Sequence, residues 1–336
     1  MTNCLKMTNC LNLIPSPKKI ELLPGHFEFP GNTCIAYPAG AGLDAAVTEL
    51  EQSLNGACST ECNISVTAQC NKAGLKLLMV NDPELGREGY RLCVSKQGVE
   101  IEGFKPNGIF YGIQTLLQLI GQCGKKLPCL HVSDIPDIDF RAMLVDLRFQ
   151  TFKMDYLIEM VKLWASYKIN VVTIDYSNKF PYGGRFLNIR DPEAFTEEEI
   201  ARLVKCCRDH FMEIIPIVQS FGHMEYLLES PEFSHLRENA ENGGKYYSQC
   251  CPLNPGSFEA SCDILRQIYE AHGRPRLLSV GGDETFHLGE CEKCSEYVKK
   301  HGKGMLFVTY INKLLDYVNS LGTTPICYAD MVFAYP

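Results

Sequence analysis

The feature that most constrains this chain is a repeating texture that begins after Phe140. Short apolar runs alternate with longer stretches of helical periodicity. The runs are Ala142–Val145, Val171–Ile174, Ile214–Val218, Leu277–Val280 and Ile326–Tyr328. Between the first two, Leu157, Met160, Val161 and Trp164 recur on one helical face. Between the second and third, Thr196-Glu197-Glu198-Glu199 reads as a capping box, whose hydroxyl and carboxylate each accept the other residue's backbone N–H. Ile200, Leu203, Val204 and Cys207 continue its apolar stripe. Asn254-Pro255 suits an N-cap followed by proline at the first helical position. Phe307, Tyr310, Ile311, Leu314 and Val318 mark a helix before the last run. Repeated strand–helix units predict parallel strands with helices outside, which fits either a (β/α) barrel or a doubly wound sheet.

The strand ends favour the barrel. The runs lead into Asp146, Asp175, Gln219, Asp283 with Glu284, and Asp330. In a TIM barrel the groups at the C-terminal strand ends share one mouth. A doubly wound dinucleotide binder wants a GxGxxG loop after its first strand; none is present there, and no P-loop motif occurs. The expected fold class is α/β, a TIM-type (β/α) barrel preceded by a small α+β domain. About five of the eight strand–helix units of a full barrel are present, so the chain reads as C-terminally truncated.

The preceding region has a different pattern. Tyr90–Val94 alternates, Gln97-Gly98 marks a turn, and Val99–Glu102 alternates again, which predicts a hairpin. Asn107 opens a helix whose face carries Ile109, Ile113, Leu116, Leu117 and Ile120. Pro128 and Asp134–Asp139 punctuate the end of the region. The expected organisation is an N-terminal extension (1–12), an α+β domain (13–137) and a partial catalytic barrel (138–336).

Composition narrows the function classes. The 336 residues carry a net charge of −8, which argues against a nucleic-acid surface. No apolar run approaches the roughly 18 residues of a membrane span. The start, MTNCLKMTNCLNLIPSPKK, repeats MTNC but lacks the charged and apolar regions of a signal peptide. The 17 cysteines are therefore read as thiols and the expected location is cytoplasmic. Cys291 and Cys294 form a CxxC; a zinc site would need two more ligands, for which Cys206, Cys207, Cys250 and Cys251 are available, and free thiols are the alternative.

The chemistry centres on Gly281-Gly282-Asp283-Glu284. Successive residues of a regular strand face opposite sides. The two glycines permit a bend that turns both carboxylates into the mouth. Crowding raises the proton affinity of one carboxylate, so that one can donate a proton while the other stays ionised. Glycoside hydrolysis uses such a pair. A solvated acidic turn is the alternative.

At this point the sequence resembles a known family. SVGGDETFHLGEC is similar to the HxGGDE signature of the family 20 glycoside hydrolases, the β-N-acetylhexosaminidases. FRAMLVDLR resembles the family's first barrel strand, and NVVTIDYSNKFPY and PIVQSFGHMEYLL its second and third, especially in the hexosaminidase D-like branch. LNPGSFEA resembles the segment opening the third helix. The stretch from IPSPKKIELLPG to GIFYGIQTLLQLI resembles the small domain that precedes the barrel. The likeness runs over roughly residues 13–336.

The resemblance implies an exo-acting hydrolase that removes terminal β-linked N-acetylhexosamine (GlcNAc or GalNAc). It implies retention through the substrate's own acetamido oxygen, the substrate-assisted exception to the two-carboxylate scheme. Glu284 matches the general acid/base and Asp283 the residue that orients the acetamido group. Arg141 matches the arginine that binds sugar hydroxyls, His223 a Gly-His that supports the acid/base network, and Asp175 and Asp330 acids near the substrate. Asp175 alternatively pairs with Lys179. Tyr176 and Tyr182 are read as packing rather than as sugar platforms. The implied partner is an N-acetylhexosamine-terminated glycan, and no metal or other cofactor is required. Ser279 departs from the motif's usual histidine, and Tyr328 stands near a position where many members carry tryptophan. Two other readings compete. An inactive truncated or carbohydrate-binding relative is disfavoured by the intact acid pair. A metal-dependent hydrolase is disfavoured by Asp146 and Arg148 standing where an HxH would be wanted.

Overall fold

The structure is a computed structural model that describes residues 11–57, 65–67, 74–238 and 248–335. The MTNC repeat and most of the 1–12 segment lie outside the described residues. The chain packs as two compact units. The first comprises the described residues up to Arg141, with Met160–Asn170 and Cys206–Met212; the second is Ala142–Glu159, Val171–Lys205 and the described residues from Glu213.

The first unit holds a seven-stranded sheet. Its strands are β1 (Lys19–Glu28), β2 (Cys34–Ala36), β3 (Ser65–Thr67), β4 (Leu75–Met79), β5 (Tyr90–Ser95), β6 (Gly98–Gly103) and β7 (Lys126–Asp134), in the order β1-β7-β5-β6-β4-β2-β3. The β5–β6 hairpin closes with Val94 opposite Val99 and Ser95 opposite Gly98. Its alternation buries Leu92, Val94, Val99 and Ile101. The helices α1 (Asp44–Ala57) and α2 (Pro106–Cys123) lie within this unit, and α2 buries Ile109, Ile113, Leu116 and Ile120. Proline at the first position of α2 removes an N–H that has no partner inside the helix.

The second unit holds five parallel strands, β8 (Ala142–Asp146), β9 (Val171–Asp175), β10 (Glu213–Ile217), β11 (Leu277–Ser279) and β12 (Thr324–Ile326). Their spatial order follows their chain order. A doubly wound sheet reverses direction at a switch point; this one does not, as in a (β/α) barrel. The interleaved helices are α3 (Met154–Ser166), α4 (Glu197–Asp209), α5 (Glu225–Leu228), α6 (Pro255–Ala271), α7 (Glu292–His301) and α8 (Lys303–Ser320); a short α9 (Asp330–Ala334) follows β12. Local signals place two of the helix starts. Thr196 and Glu199 exchange the two hydrogen bonds of a capping box, and the Asn254 side chain accepts the Gly256 N–H. Such caps contribute about 1 kcal/mol each. Val171, Ile215 and Leu277 pack together between the strands, with Ile326 against them. Strands β8 and β12 are the sheet's outer members, so the described residues form an open arc rather than a closed barrel. Among the described residues no helix is long and apolar enough to cross a membrane.

Register decides what meets at the mouth. Asp146 pairs with Asp175, Ile217 with both Asp175 and Ser279, and Ser279 with Ile326. These five positions form one row at the C-terminal strand ends. Gln219, Gly281 and Tyr328, each two residues further along, are carried into the next layer.

Candidate active site

Strand β11 ends at Ser279, and the backbone then turns sharply. Gly281 and Gly282 take φ of +69° and +94°. A side chain at Gly281 would meet the Gln219 side-chain oxygen at 2.3 Å, so both the turn and the crowding require glycine there. Glu284 itself sits at φ +49° and His223 at φ +51°. Left-handed backbone at non-glycine residues costs about 1–3 kcal/mol each and concentrates at functional sites. Gly222, beside His223, lets the β10 loop approach, since a Cβ there would lie 2.3 Å from the Asp283 carbonyl oxygen.

The bend aims both acids at one group. Asp283 Oδ2 and Glu284 Oε2 each lie 3.3 Å from His223 Nε2. The hydrogen bond that His223 Nε2–H donates to Asp283 raises the His223 pKa, against the opposing effect of burial. The imidazolium form is thereby favoured between two carboxylates. Asp283 is largely buried, and its Oδ1 has no hydrogen-bond partner among the described residues. Glu284 is more accessible, with 57% of its side chain exposed. Asp330 Oδ2 accepts the Glu284 N–H at 3.1 Å, and the Tyr328 N–H bonds to the Gly281 carbonyl at 3.0 Å.

A second cluster lies on β8 and β9. Arg148 donates through Nε and Nη2 to Asp146, at 3.1 and 2.7 Å, and its Nε stands 3.9 Å from Asp175 Oδ2. Burial pushes Asp146 upward, but the Arg148 hydrogen bonds reverse this and hold its pKa below the ordinary value. Asp175 is the opposite case. Burial pushes its pKa up to about 6, although Gln219 Nε2 donates to it at 3.0 Å and Arg148 attracts it. The Asp283 charge is felt at Arg148, and the Arg148 charge at His223, so the two clusters form one electrostatic system.

The structure thus brings together Asp283, Glu284, His223 and Asp330, with Asp175 in the adjoining cluster. It does not bring Arg141 to them. Arg141 precedes β8, at the opposite end of the strand from Asp146. Its guanidinium donates to Glu88 at 2.6 Å and to the carbonyls of Lys168 and Ile138 at 2.7 and 2.6 Å. The expectation for Arg141 is therefore corrected: its donors are already committed within the first unit, and the arginine at the mouth is Arg148. Three smaller expectations also change. Lys179 pairs with Asp191 at 2.6 Å rather than with Asp175. Asp330 does not end a strand; β12 stops at Ile326 and Asp330 begins α9. Of the four cysteines available to join Cys291 and Cys294, only Cys251 lies beside them. Tyr176 and Tyr182 are fully buried, Tyr176 bonding His272 and Tyr182 stacking on Tyr226, which makes them packing residues.

Two models of one family match the chain. The model of glycosyl hydrolase family 20, domain 2, matches residues 11–135, and that of the glycosyl hydrolase family 20 catalytic domain matches residues 184–336. The chain belongs to glycosyl hydrolase family 20. Among family members, it is 30% identical to hexosaminidase D of Homo sapiens over 203 residues, 58% of this chain and 40% of that protein. It is 28% identical to hexosaminidase D of Bos taurus over 200 residues, 58% and 57% of the two chains. The chain therefore spans about half the length of these relatives. In fold it is similar to Streptomyces plicatus N-acetyl-β-hexosaminidase, at TM-score 0.79 and 20% identity, covering 96% of this chain and 66% of that one. It is likewise similar to Flavobacterium johnsoniae chitobiase, at TM-score 0.80 and 20% identity, covering 94% and 52%. The family 20 catalytic fold is a TIM barrel, and the five parallel strands are part of one.

Proposed function

We propose that this family 20 chain carries the acid/base portion of an exo-acting β-N-acetylhexosaminidase site. The reading rests on one observation: Asp283 and Glu284, adjacent in sequence, both reach His223 Nε2 at 3.3 Å beside the Arg148 cluster. The catalytic assignment of the site residues, the retaining mechanism and the cytoplasmic location belong to this proposal.

In this scheme Glu284, the more accessible acid, protonates the glycosidic oxygen as the bond to the leaving group breaks. The same carboxylate then takes a proton from the incoming water. Asp283 has a buried, unpartnered oxygen, an acceptor suited to the N–H of a 2-acetamido group. Holding that amide lets its carbonyl oxygen attack the anomeric carbon and form a cyclic oxazolinium ion, so two inversions give net retention. His223, whose proton affinity the Asp283 hydrogen bond raises, holds the Asp283 carboxylate in place. Arg148 presents a planar donor fork for sugar hydroxyls, while Asp175 and Asp330 hold Arg148 and the Glu284 backbone. A carbohydrate-binding role with little turnover is the second reading. It is favoured by the exposure of Glu284, because a solvated carboxylate has its neighbours' fields screened.

The test is a series of β-GlcNAc glycosides whose acetamido group carries zero to three fluorines. If the acetamido oxygen is the nucleophile, the rate falls steeply with each fluorine and the first-formed sugar, seen by NMR, is the β-anomer. A flat series, or an α-product, refutes the scheme. Binding without turnover would select the second reading.

A further inference from the structure

The structure assigns a second site, a four-coordinate zinc site built from Cys251, Cys291, Cys294 and Glu238. One ligand atom from each residue lies within 4.8 Å of all the others. The Cys251 sulfur is 3.7 Å from that of Cys291 and 3.5 Å from that of Cys294. A tetrahedral zinc with Zn–S bonds of about 2.3 Å places its sulfurs about 3.8 Å apart, whereas a disulfide requires about 2.05 Å. The spacing suits a shared metal.

Glu238 is the independent observation. Its residue is 0% exposed. One oxygen, Oε1, accepts the N–H groups of Glu290 and Cys291 at 2.9 and 3.0 Å. The other, Oε2, is buried with no partner, and no cationic side chain pairs with it among the described residues. A buried carboxylate without a countercharge is costly, and a bound zinc supplies that charge. The thiolates are provided for too. Cys291 is the N-cap of α7, its sulfur accepts the Cys294 N–H at 3.4 Å, and the positive end of the helix faces the cluster. Backbone donors to ligand sulfur and carboxylate fix the ligand geometry in zinc sites. Cys291 is partly exposed and gives the metal a route in, while Cys251 and Cys294 are buried. Binding converts three thiols to thiolates and releases three protons to solvent, and no redox step is involved. With four protein ligands the site is closed, hence structural. It ties the loop that follows Glu284 to the segment around Glu238 and Cys251, where Gln249 also accepts the His287 N–H. The site is independent of the hydrolase reading.

The test uses the full chain, produced in zinc-supplemented medium and purified without a metal column. We expect about one zinc per chain by mass spectrometry after dialysis, and a sulfur-rich first shell with one oxygen by X-ray absorption. Three thiols should become reactive only when a chelator removes the metal. Glu238→Gln keeps an acceptor for both backbone N–H groups and is expected to fold, with zinc affinity lower by at least about tenfold. Replacing Cys291 and Cys294 together with serine abolishes stoichiometric zinc. The inference is overturned if the folded wild type holds little zinc and its thiols react freely. It is equally overturned if Cys251 is found in a disulfide with either partner, or if zinc content is unchanged in the double variant.

Discussion

Asp175→Asn isolates the cost of a buried charge at the mouth. The side chain is 5% exposed and its pKa is raised from 3.8 to about 6, chiefly by burial. Between these values the folded chain binds more protons than the unfolded chain, so stability falls as pH rises through the window. The difference of about 2 pKa units, at about 1.4 kcal/mol each, corresponds to about 3 kcal/mol as an upper bound. The amide replacement carries no charge and can keep the Ser177 N–H bond. Gln219 has an unpartnered buried oxygen, so turning its amide lets it accept from the new N–H group. The prediction is that Asp175→Asn is less stable than or equal to the wild type at pH 4 and gains up to about 3 kcal/mol relative to it by pH 7. Urea unfolding of both proteins at a series of pH values measures this, and taking the difference cancels the other titrating groups. A difference that is flat with pH, or that favours the wild type increasingly at neutral pH, would refute the reasoning.

Other expectations follow from the same geometry. Arg148→Lys keeps a charge beside Asp146 but loses the fork; kcat/KM should fall about tenfold or more, as for a lost charged hydrogen bond of about 1.5–3 kcal/mol, with little change in unfolding midpoint. Arg141→Ala should do the reverse, destabilising the first unit by about 3–5 kcal/mol because Glu88 is left buried and unpaired, while the folded fraction retains its kcat. Gly222→Ala forces a Cβ toward the Asp283 carbonyl, and a shift of the Asp283–Glu284 loop costing about 1–3 kcal/mol should appear as lower thermal stability and, on the proposed function, lower turnover together.

Much of the fold could be read in the sequence because its signals are local. The capping box at Thr196, the Asn254-Pro255 start and the β5–β6 hairpin each depend on residues a few positions apart, and each lies where expected. The bend at Gly281-Gly282 was legible for the same reason. What failed was non-local. The segment FRAMLVDLR carries an arginine at each end, and only the strand direction distinguishes them. The rule that singled out Asp175, a polar group at a C-terminal strand end, selects Arg148 and not Arg141. The pairing of Lys179 with Asp191 depends on a loop conformation that periodicity does not encode. The cluster around the CxxC draws on Cys251, far back along the chain, and on Glu238, which no spacing singles out. Its burial alone reveals it.

The central claim is that Glu284, turned into the mouth by the glycine pair, serves as the proton donor in glycoside cleavage. The most direct measurement compares wild type with Glu284→Gln on two β-GlcNAc glycosides, one with an alkyl leaving group and one with an activated aryl group. The account predicts a loss of about 100- to 10,000-fold on the alkyl glycoside and a far smaller loss on the aryl glycoside, which needs no protonation. Wild-type turnover of the alkyl glycoside by Glu284→Gln, or equal losses on both substrates, would contradict it.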